Sequence, residues 1–243
     1  GGSAGRGGGP IKATLKSQPA NSVNGKIRIT DQGEVIQQKY GYEPLAKYNL
    51  CSYIGAVVQA TLNPPPEPKI KWKQLIEKMS EISMKSYRSN INEKLDFIRY
   101  FRTVTPHKAL GKLSIGSRPS KRKNVDNIQS LRAIPWVFAW TQIRLFLPAW
   151  LGTTEALNYA SSKVFKKTLV DMEKNWPFFN STMDILDMVI SKVDPEISKV
   201  YENQLADKKL KIVGKKLRLQ FETLKRLNKV ITPSQIRKQR KVF

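Results

Sequence analysis

One cysteine and one histidine occur in 243 residues. A lone Cys51 excludes an internal disulfide framework and a Cys-based zinc site, and a lone His107 excludes a metal site built from two or three histidines. A Ser-His-Asp triad could pass only through His107, in the turn-like run Thr105-Pro106-His107-Lys108, and that residue is assigned no catalytic role. Acids are also scarce, 19 Asp+Glu against 43 Lys+Arg, for a formal charge of +24. No pair of them stands out at metal-ligand spacing. A membrane-spanning run is missing too. The most apolar stretch, Ile134 to Gly152, is interrupted by Pro135, Gln142, Arg144 and Pro148. An arginine at mid-span costs about 2.5–3.5 kcal/mol, so the stretch is expected to be a buried element of a large soluble core.

What is present is enough to fold. Hydrophobic residues make up 40% and aromatics 9%, which is too apolar for a disordered polycation. The length suits one large domain or two small ones. Half of the net charge sits at one end, because Lys208 to Phe243 holds 13 Lys/Arg and one acid, Glu222. Lysine supplies 30 of the 43 cations and is scattered, the pattern of a solvated surface rather than a phosphate track. A basic nucleic-acid-binding protein acting through the Lys-rich tail is nevertheless the competing function class. Its signature would be binding that weakens steeply with salt. No groove-reading or aromatic-stacking motif accompanies the charge.

The chain opens Gly1-Gly2-Ser3-Ala4-Gly5-Arg6-Gly7-Gly8-Gly9-Pro10, without an initiator Met or a signal-peptide core, which suggests a fragment or a processed product. The glycine run is either a flexible linker or a backbone nest whose N–H groups face an anion, with Arg6 adding charge. Asn24-Gly25 and Asp31-Gln32-Gly33 are turn signals around Lys26–Thr30 and Glu34-Val35-Ile36, which are expected as two short strands or as one strand and a sharp bend. Pro64-Pro65-Pro66-Glu67-Pro68 is expected to be an extended connector. Helical spacing then dominates. Trp72, Leu75, Ile76, Met79 and Ile82 form one stripe, and Leu186, Val189, Ile190 and Val193 another. Asp194-Pro195 reads as an N-cap and first-turn proline for a helix carrying Ile197, Val200, Tyr201 and Leu205. Leu217, Phe221, Leu224 and Leu227 line a last helix, and all four stripes are expected in the core. Cys51, in an apolar-rich run, is expected to be a small buried hydrophobe.

Arginines mark the candidate chemistry. Gly116-Ser117-Arg118-Pro119-Ser120-Lys121-Arg122-Lys123 is a basic loop, and Arg132 stands just before the apolar stretch in Ser130-Leu131-Arg132-Ala133-Ile134-Pro135-Trp136. A guanidinium at the mouth of a dry interior is either in a structural ion pair or a bidentate grip on phosphate or carboxylate.

The motifs Gly5-Arg6-Gly7-Gly8-Gly9-Pro10, Ser17-Gln18-Pro19, Arg28-Ile29-Thr30-Asp31-Gln32-Gly33-Glu34, Ile115–Arg122, Ser130–Gln142, Leu147–Gly152 and Asn175–Phe179 together resemble phosphoenolpyruvate carboxylase, in the same order and at compatible spacing. The resemblance extends from Gly1 to about Gly214 and then fades into the basic tail. It implies a mainly α fold with a few β-strands: a partial (β/α)8 barrel with appended helices, as residues 1–214 of a catalytic region followed by a basic helical tail, 215–243. It also implies carboxylation of phosphoenolpyruvate with bicarbonate to oxaloacetate and phosphate, through carboxyphosphate and the pyruvate enolate, with Mg2+ or Mn2+. By the same resemblance Arg6 guards the substrate phosphate and also contacts an inhibitory dicarboxylate, aspartate or malate. Arg132 grips the phosphoenolpyruvate phosphate, Gln32 lies in the bicarbonate/CO2 pocket, Arg118 is a second active-site arginine and Lys192 is an inhibitor lysine. A cytoplasmic homotetramer is implied for the full-length enzyme. The family's catalytic His and metal carboxylates match nothing in this chain, so an inactive fragment is expected.

Overall fold

The computed structural model describes residues 10–31, 33–92, 95–113 and 133–232, and among them every regular element is a helix. In chain order these are α1 (Ile11–Lys16), α2 (Gly33–Tyr40), α3 (Glu43–Leu62), α4 (Ile70–Asn92), α5 (Leu95–Val104), α6 (His107–Leu110), α7 (Ala133–Gln142), α8 (Thr153–Ala160), α9 (Lys166–Asn175), α10 (Pro177–Lys192), α11 (Pro195–Leu205) and α12 (Lys208–Ile231). A 3-10 turn, Leu147–Ala149, precedes α8. The chain forms two compact units: residues 1–73 with 167–185, and residues 74–166 with 186–243. α12 runs through positions 214 and 215 without a break.

The expected strands, and with them the partial (β/α)8 barrel, are not found among the described residues. Lys26–Thr30 is neither strand nor helix, and Glu34-Val35-Ile36 lies inside α2. The physical reason is pairing. Alternating apolar residues suit a pleated surface, but a strand needs a neighbour to take its N–H and C=O groups, and the described residues supply none. In α2 the same residues meet a helical period instead, with Val35, Lys39 and Tyr40 half-buried on one side.

In the first unit α3 packs on α1 and α2 through small residues. Leu15 and Val23 meet Ala56 and Ala60, flanked by Ile11 and Val57. Gly25 takes a left-handed conformation (φ 66°), and its N–H donates to Thr61 Oγ1 at 2.9 Å. The proline connector belongs to no helix or strand, and its far end is pinned. Trp72 stacks on Trp176 with centroids 5.8 Å apart. The Asp171 carboxylate accepts from Lys69 Nζ (2.8 Å), Trp72 Nε1 (3.0 Å) and Asn175 Nδ2 (2.8 Å). The Lys69 and Asn175 hydrogen bonds are the main reason its carboxyl is held far below the usual carboxylate range.

The second unit is organised by the apolar stretch, most of which is buried as expected, with Val137 and Phe138 exposed. Trp136 and Trp140 of α7 are buried with Phe97, Tyr100 and Phe101 of α5, and the Phe101 and Trp140 ring centroids lie 5.4 Å apart. His107 is buried against the Phe101 ring (5.0 Å), within this aromatic cluster. The chain leaves α7 by a tight reversal with Arg144 (φ 56°) and Phe146 (φ 48°) in left-handed conformations. Trp150 Nε1 donates to Leu145 O at 2.8 Å across that turn. At the start of α8, Gly152 has φ 88°, and a Cβ there would collide with the Ser83 carbonyl oxygen, so only glycine fits. α12 packs on α5, α8 and α11, burying Leu217, Phe221 and Leu224 as its spacing predicts.

Two expectations about burial are corrected. Asp194 does cap α11, accepting from the N–H groups of Glu196 (3.0 Å) and Ile197 (3.1 Å). The Ile197, Val200, Tyr201 and Leu205 stripe, however, faces outward, and the buried side carries Ser198 and Glu202. Glu202 takes a bidentate ion pair from Arg218 of α12 (2.6 and 2.9 Å) and a hydrogen bond from Tyr100 Oη (3.1 Å). That fixed polar pairing sets the rotation of α11 against its apolar pattern. Cys51 is likewise exposed, on the outer side of α3.

Candidate functional site

Of the five residues assigned by resemblance, Arg6, Gln32, Arg118 and Arg132 lie outside the described residues. Lys192 is described. It is the last residue of α10 and its side chain is exposed. A cation there also complements the negative end of the helix dipole, a sufficient structural reason for its position. Two residues later the Asp194 N–H donates to Arg144 O at 2.9 Å, which ties the segment after Lys192 to the reversal following α7. No two of the five are brought together among the described residues.

Beside position 32 lies a polar cluster that no sequence motif announces. Asp31 precedes that position directly, and α2 returns two side chains to the Asp31 carboxylate. Lys39 Nζ lies 2.5 Å from Oδ1, and Tyr40 Oη donates to Oδ2 at 3.0 Å. Lys39 also donates to Tyr53 Oη of α3 (3.3 Å), and Asn49 Nδ2 donates to Lys39 O (2.9 Å). Burial pushes the Asp31 carboxyl up, but the hydrogen bonds from Lys39 and Tyr40 and the Lys39 charge outweigh it, holding the carboxyl below its ordinary range. The bond to Asp31 chiefly raises Lys39, whereas burial chiefly pushes Tyr40 up to about 12, with the Asp31 acceptor adding to it. Asp31 lies outside α2 while Lys39 and Tyr40 stand at its end, so no single helical or strand pattern spans the three, which is why pattern reading passes over this cluster.

The linkage sign gives a testable pH profile. A depressed carboxylate contributes stability above its unfolded pKa and loses it as pH falls through the folded value; a raised lysine contributes below its unfolded pKa and loses it as pH rises through the folded one. Asp31→Asn is therefore expected to lower stability at pH 7 by about 0.5–1 kcal/mol, a small value because water reaches Lys39. The gap to the parent chain should narrow in urea melts at pH 3 relative to pH 7. An equal gap at both pH values would show that charge is not the cause.

A separate cavity of about 240 Å³ in the first unit is lined by Lys16, Lys174, Asn175, Asn180, Ser181 and Asp184, and none of the five assigned residues borders it.

A family model described as phosphoenolpyruvate carboxylase matches residues 1–243, the basic C-terminal segment included. The chain belongs to the phosphoenolpyruvate carboxylase family. It is 50% identical over 218 residues to the phosphoenolpyruvate carboxylase of Shewanella halifaxensis, covering 90% of this chain and 25% of that protein. It is 47% identical over 244 residues to the Acinetobacter baumannii phosphoenolpyruvate carboxylase, covering 97% of this chain and 27% of the relative. The Hahella chejuensis phosphoenolpyruvate carboxylase is 49% identical over 218 residues, again 90% of this chain and 25% of the relative. The chain thus spans about a quarter of the length of the curated carboxylases it matches.

Proposed function

We propose that this chain supplies the anion-holding part of an enzyme that carboxylates phosphoenolpyruvate with bicarbonate to oxaloacetate and phosphate, and that the chain alone is inactive. The observation that carries the reading is the family match over residues 1–243. The arginine motifs at Arg6, Arg118 and Arg132 stand in family order within it. Substrate, intermediates and product are small polyanions, and guanidinium groups at the edge of an apolar interior hold such charge by paired, directed hydrogen bonds. In this reading Arg132 takes the substrate phosphate, and Arg6 closes over it with the glycine run, excluding water from carboxyphosphate and the enolate. Gln32 orients bicarbonate or the CO2 released from it, and Arg118 adds a second cation. Lys192 and Arg6 receive the inhibitory dicarboxylate. Residues 1–214 carry these groups, and 215–243 form the basic tail.

The family's Mg2+ or Mn2+ finds no fitting donor set among the described residues. Among the described residues no three or more His, Cys, Asp or Glu side chains cluster as metal ligands, and no step is assigned through a metal held by them. Among the same residues no helix is long and apolar enough to cross a membrane. The nucleic-acid reading gains no support, and the apolar side of α12 packs on α5, α8 and α11.

The test is direct. Given phosphoenolpyruvate, bicarbonate and Mg2+, the purified chain should produce no oxaloacetate, read as NADH oxidation through added malate dehydrogenase. Measurable turnover would overturn the inactivity. Supplying the unmatched regions of a relative should restore turnover, and Arg132→Ala should then lower it by about 10²–10³-fold, the usual loss for one preorganised donor to developing negative charge. Restored turnover that Arg132→Ala leaves unchanged would remove Arg132 from its assigned role.

A further inference from the structure

α3 is apolar on both sides. Its inner side presents the small residues Ala56 and Ala60 to Leu15 of α1 and to Val23. Its outer side presents Tyr48, Leu50, Cys51, Ile54, Gly55, Val58 and Leu62, all exposed, and beyond Lys47 the helix carries no charged residue. At 100° per residue, Leu50, Cys51, Ile54, Val58 and Leu62 form one continuous strip along this 20-residue helix. A helix facing water normally carries charge there, and one that is hydrophobic all round belongs inside a larger protein. Leu62 and Ile54 are 73% and 63% exposed, so the strip is bare among the described residues. Large contiguous apolar surface of this kind marks an interface.

The occupant follows from length. Full-length relatives extend over about four times the span matched here, so most of their polypeptide lies outside the matched region. We infer that the outer face of α3 is an internal docking surface for that remaining polypeptide, which seats an apolar, uncharged surface on Leu50, Ile54, Val58 and Leu62. The inference rests on the family reading above and adds to it the surface through which this part joins the rest. It also assigns Cys51, the only cysteine, a buried place at that junction.

Cys51 supplies the readout. In the isolated chain its thiol should react with N-ethylmaleimide at the rate of an open surface thiol. A chimera sets this chain in place of the matched quarter of the Shewanella halifaxensis relative, whose own cysteines are replaced by serine. In that chimera Cys51 should react at least about tenfold more slowly, because access would require local opening. A rate within about twofold of the isolated chain would overturn the inference even if the chimera were active. A protected but inactive chimera would instead uphold the docking face and count against the proposed reaction. A dimer of the isolated chain held by Cys51–Cys51 disulfides, with Cys51 already protected before oxidation, would assign the face to a second copy and overturn the inference. The double variant Ile54→Asp, Val58→Asp provides a test that needs no chimera. It should keep the helical signal and unfolding midpoint of the isolated chain, because both side chains are exposed there. Loss of folding would show that the strip is core within this chain, and the inference would fail.

Discussion

Glu202→Ala is expected to remove about 3 kcal/mol of folding stability and to lower the melting temperature of the second unit by roughly 10 °C. The carboxylate is 2% exposed and accepts two hydrogen bonds from Arg218 and one from Tyr100. Removing it leaves a guanidinium and a phenol in a site built for an anion. Unpartnered buried charge costs about 3–5 kcal/mol, and the low end applies because the Arg218 side chain retains 16% exposure and can reach some water. The Arg218 charge is already raised in pKa, first through its bonds to Glu202, and burial together with Glu202 raises Tyr100. Tryptophan fluorescence, reporting on Trp140 beside Tyr100, follows this unit during urea or thermal unfolding. A change below about 1 kcal/mol would mean that Arg218 and Tyr100 satisfy themselves with water and that the pair does not hold α11 to α12.

Gly214→Ala should be destabilising as well, against helix propensity. In the interior of a helix alanine is normally better than glycine by about 1 kcal/mol. Here a Cβ would overlap Glu202 Oε2 and fall 2.8 Å from Tyr100 Oη, so the ion pair must move or α11 must shift. Overpacking of this kind costs about 1–3 kcal/mol, and displacing the ion pair adds to it, for a net loss of about 2–3 kcal/mol after the propensity gain. The two substitutions share one space, so their effects should not add. In the Glu202→Ala background the alanine at 214 meets only the Tyr100 hydroxyl and should cost little. Equal costs of Gly214→Ala in both backgrounds, read from a double-mutant cycle, would show that the close approach to Glu202 is not the reason for the glycine.

Much of the architecture is readable from spacing because it rests on local periodicity. Trp72, Leu75 and Met79 are buried in α4, Leu217, Phe221 and Leu224 in α12, and Asp194 with Pro195 opens α11. These depend on a helical turn and a cap, both fixed within a few residues. The strands fail for the complementary reason. Lys26–Thr30 has the alternation of a strand, but pairing requires a neighbour that the segment itself cannot supply. The stripe of α11 turns outward because a buried ion pair fixes the rotation of the helix, and sequence periodicity does not weigh one Glu–Arg pair against four apolar residues. The Asp31–Lys39–Tyr40 cluster escapes sequence reading because Asp31 lies outside α2, whose end carries the other two, so no single element's period contains all three. Of the candidate site, only Lys192 falls among the described residues, so the arginine assignments stand on the motifs.

Sequence alone determined that one cysteine and one histidine cannot build a thiol or imidazole metal site, that the apolar stretch from Ile134 is core, and, through ordered arginine motifs, the family. These follow from residue counts, hydropathy and linear order, which do not depend on how the chain packs. Tertiary structure alone decided that Cys51 and the Leu50–Leu62 strip face outward, that Glu202 rather than Val200 is buried, and that Gly214 must lack a side chain. Each of those outcomes depends on which surface meets a given side chain, and that partner is set by contacts between residues distant in sequence.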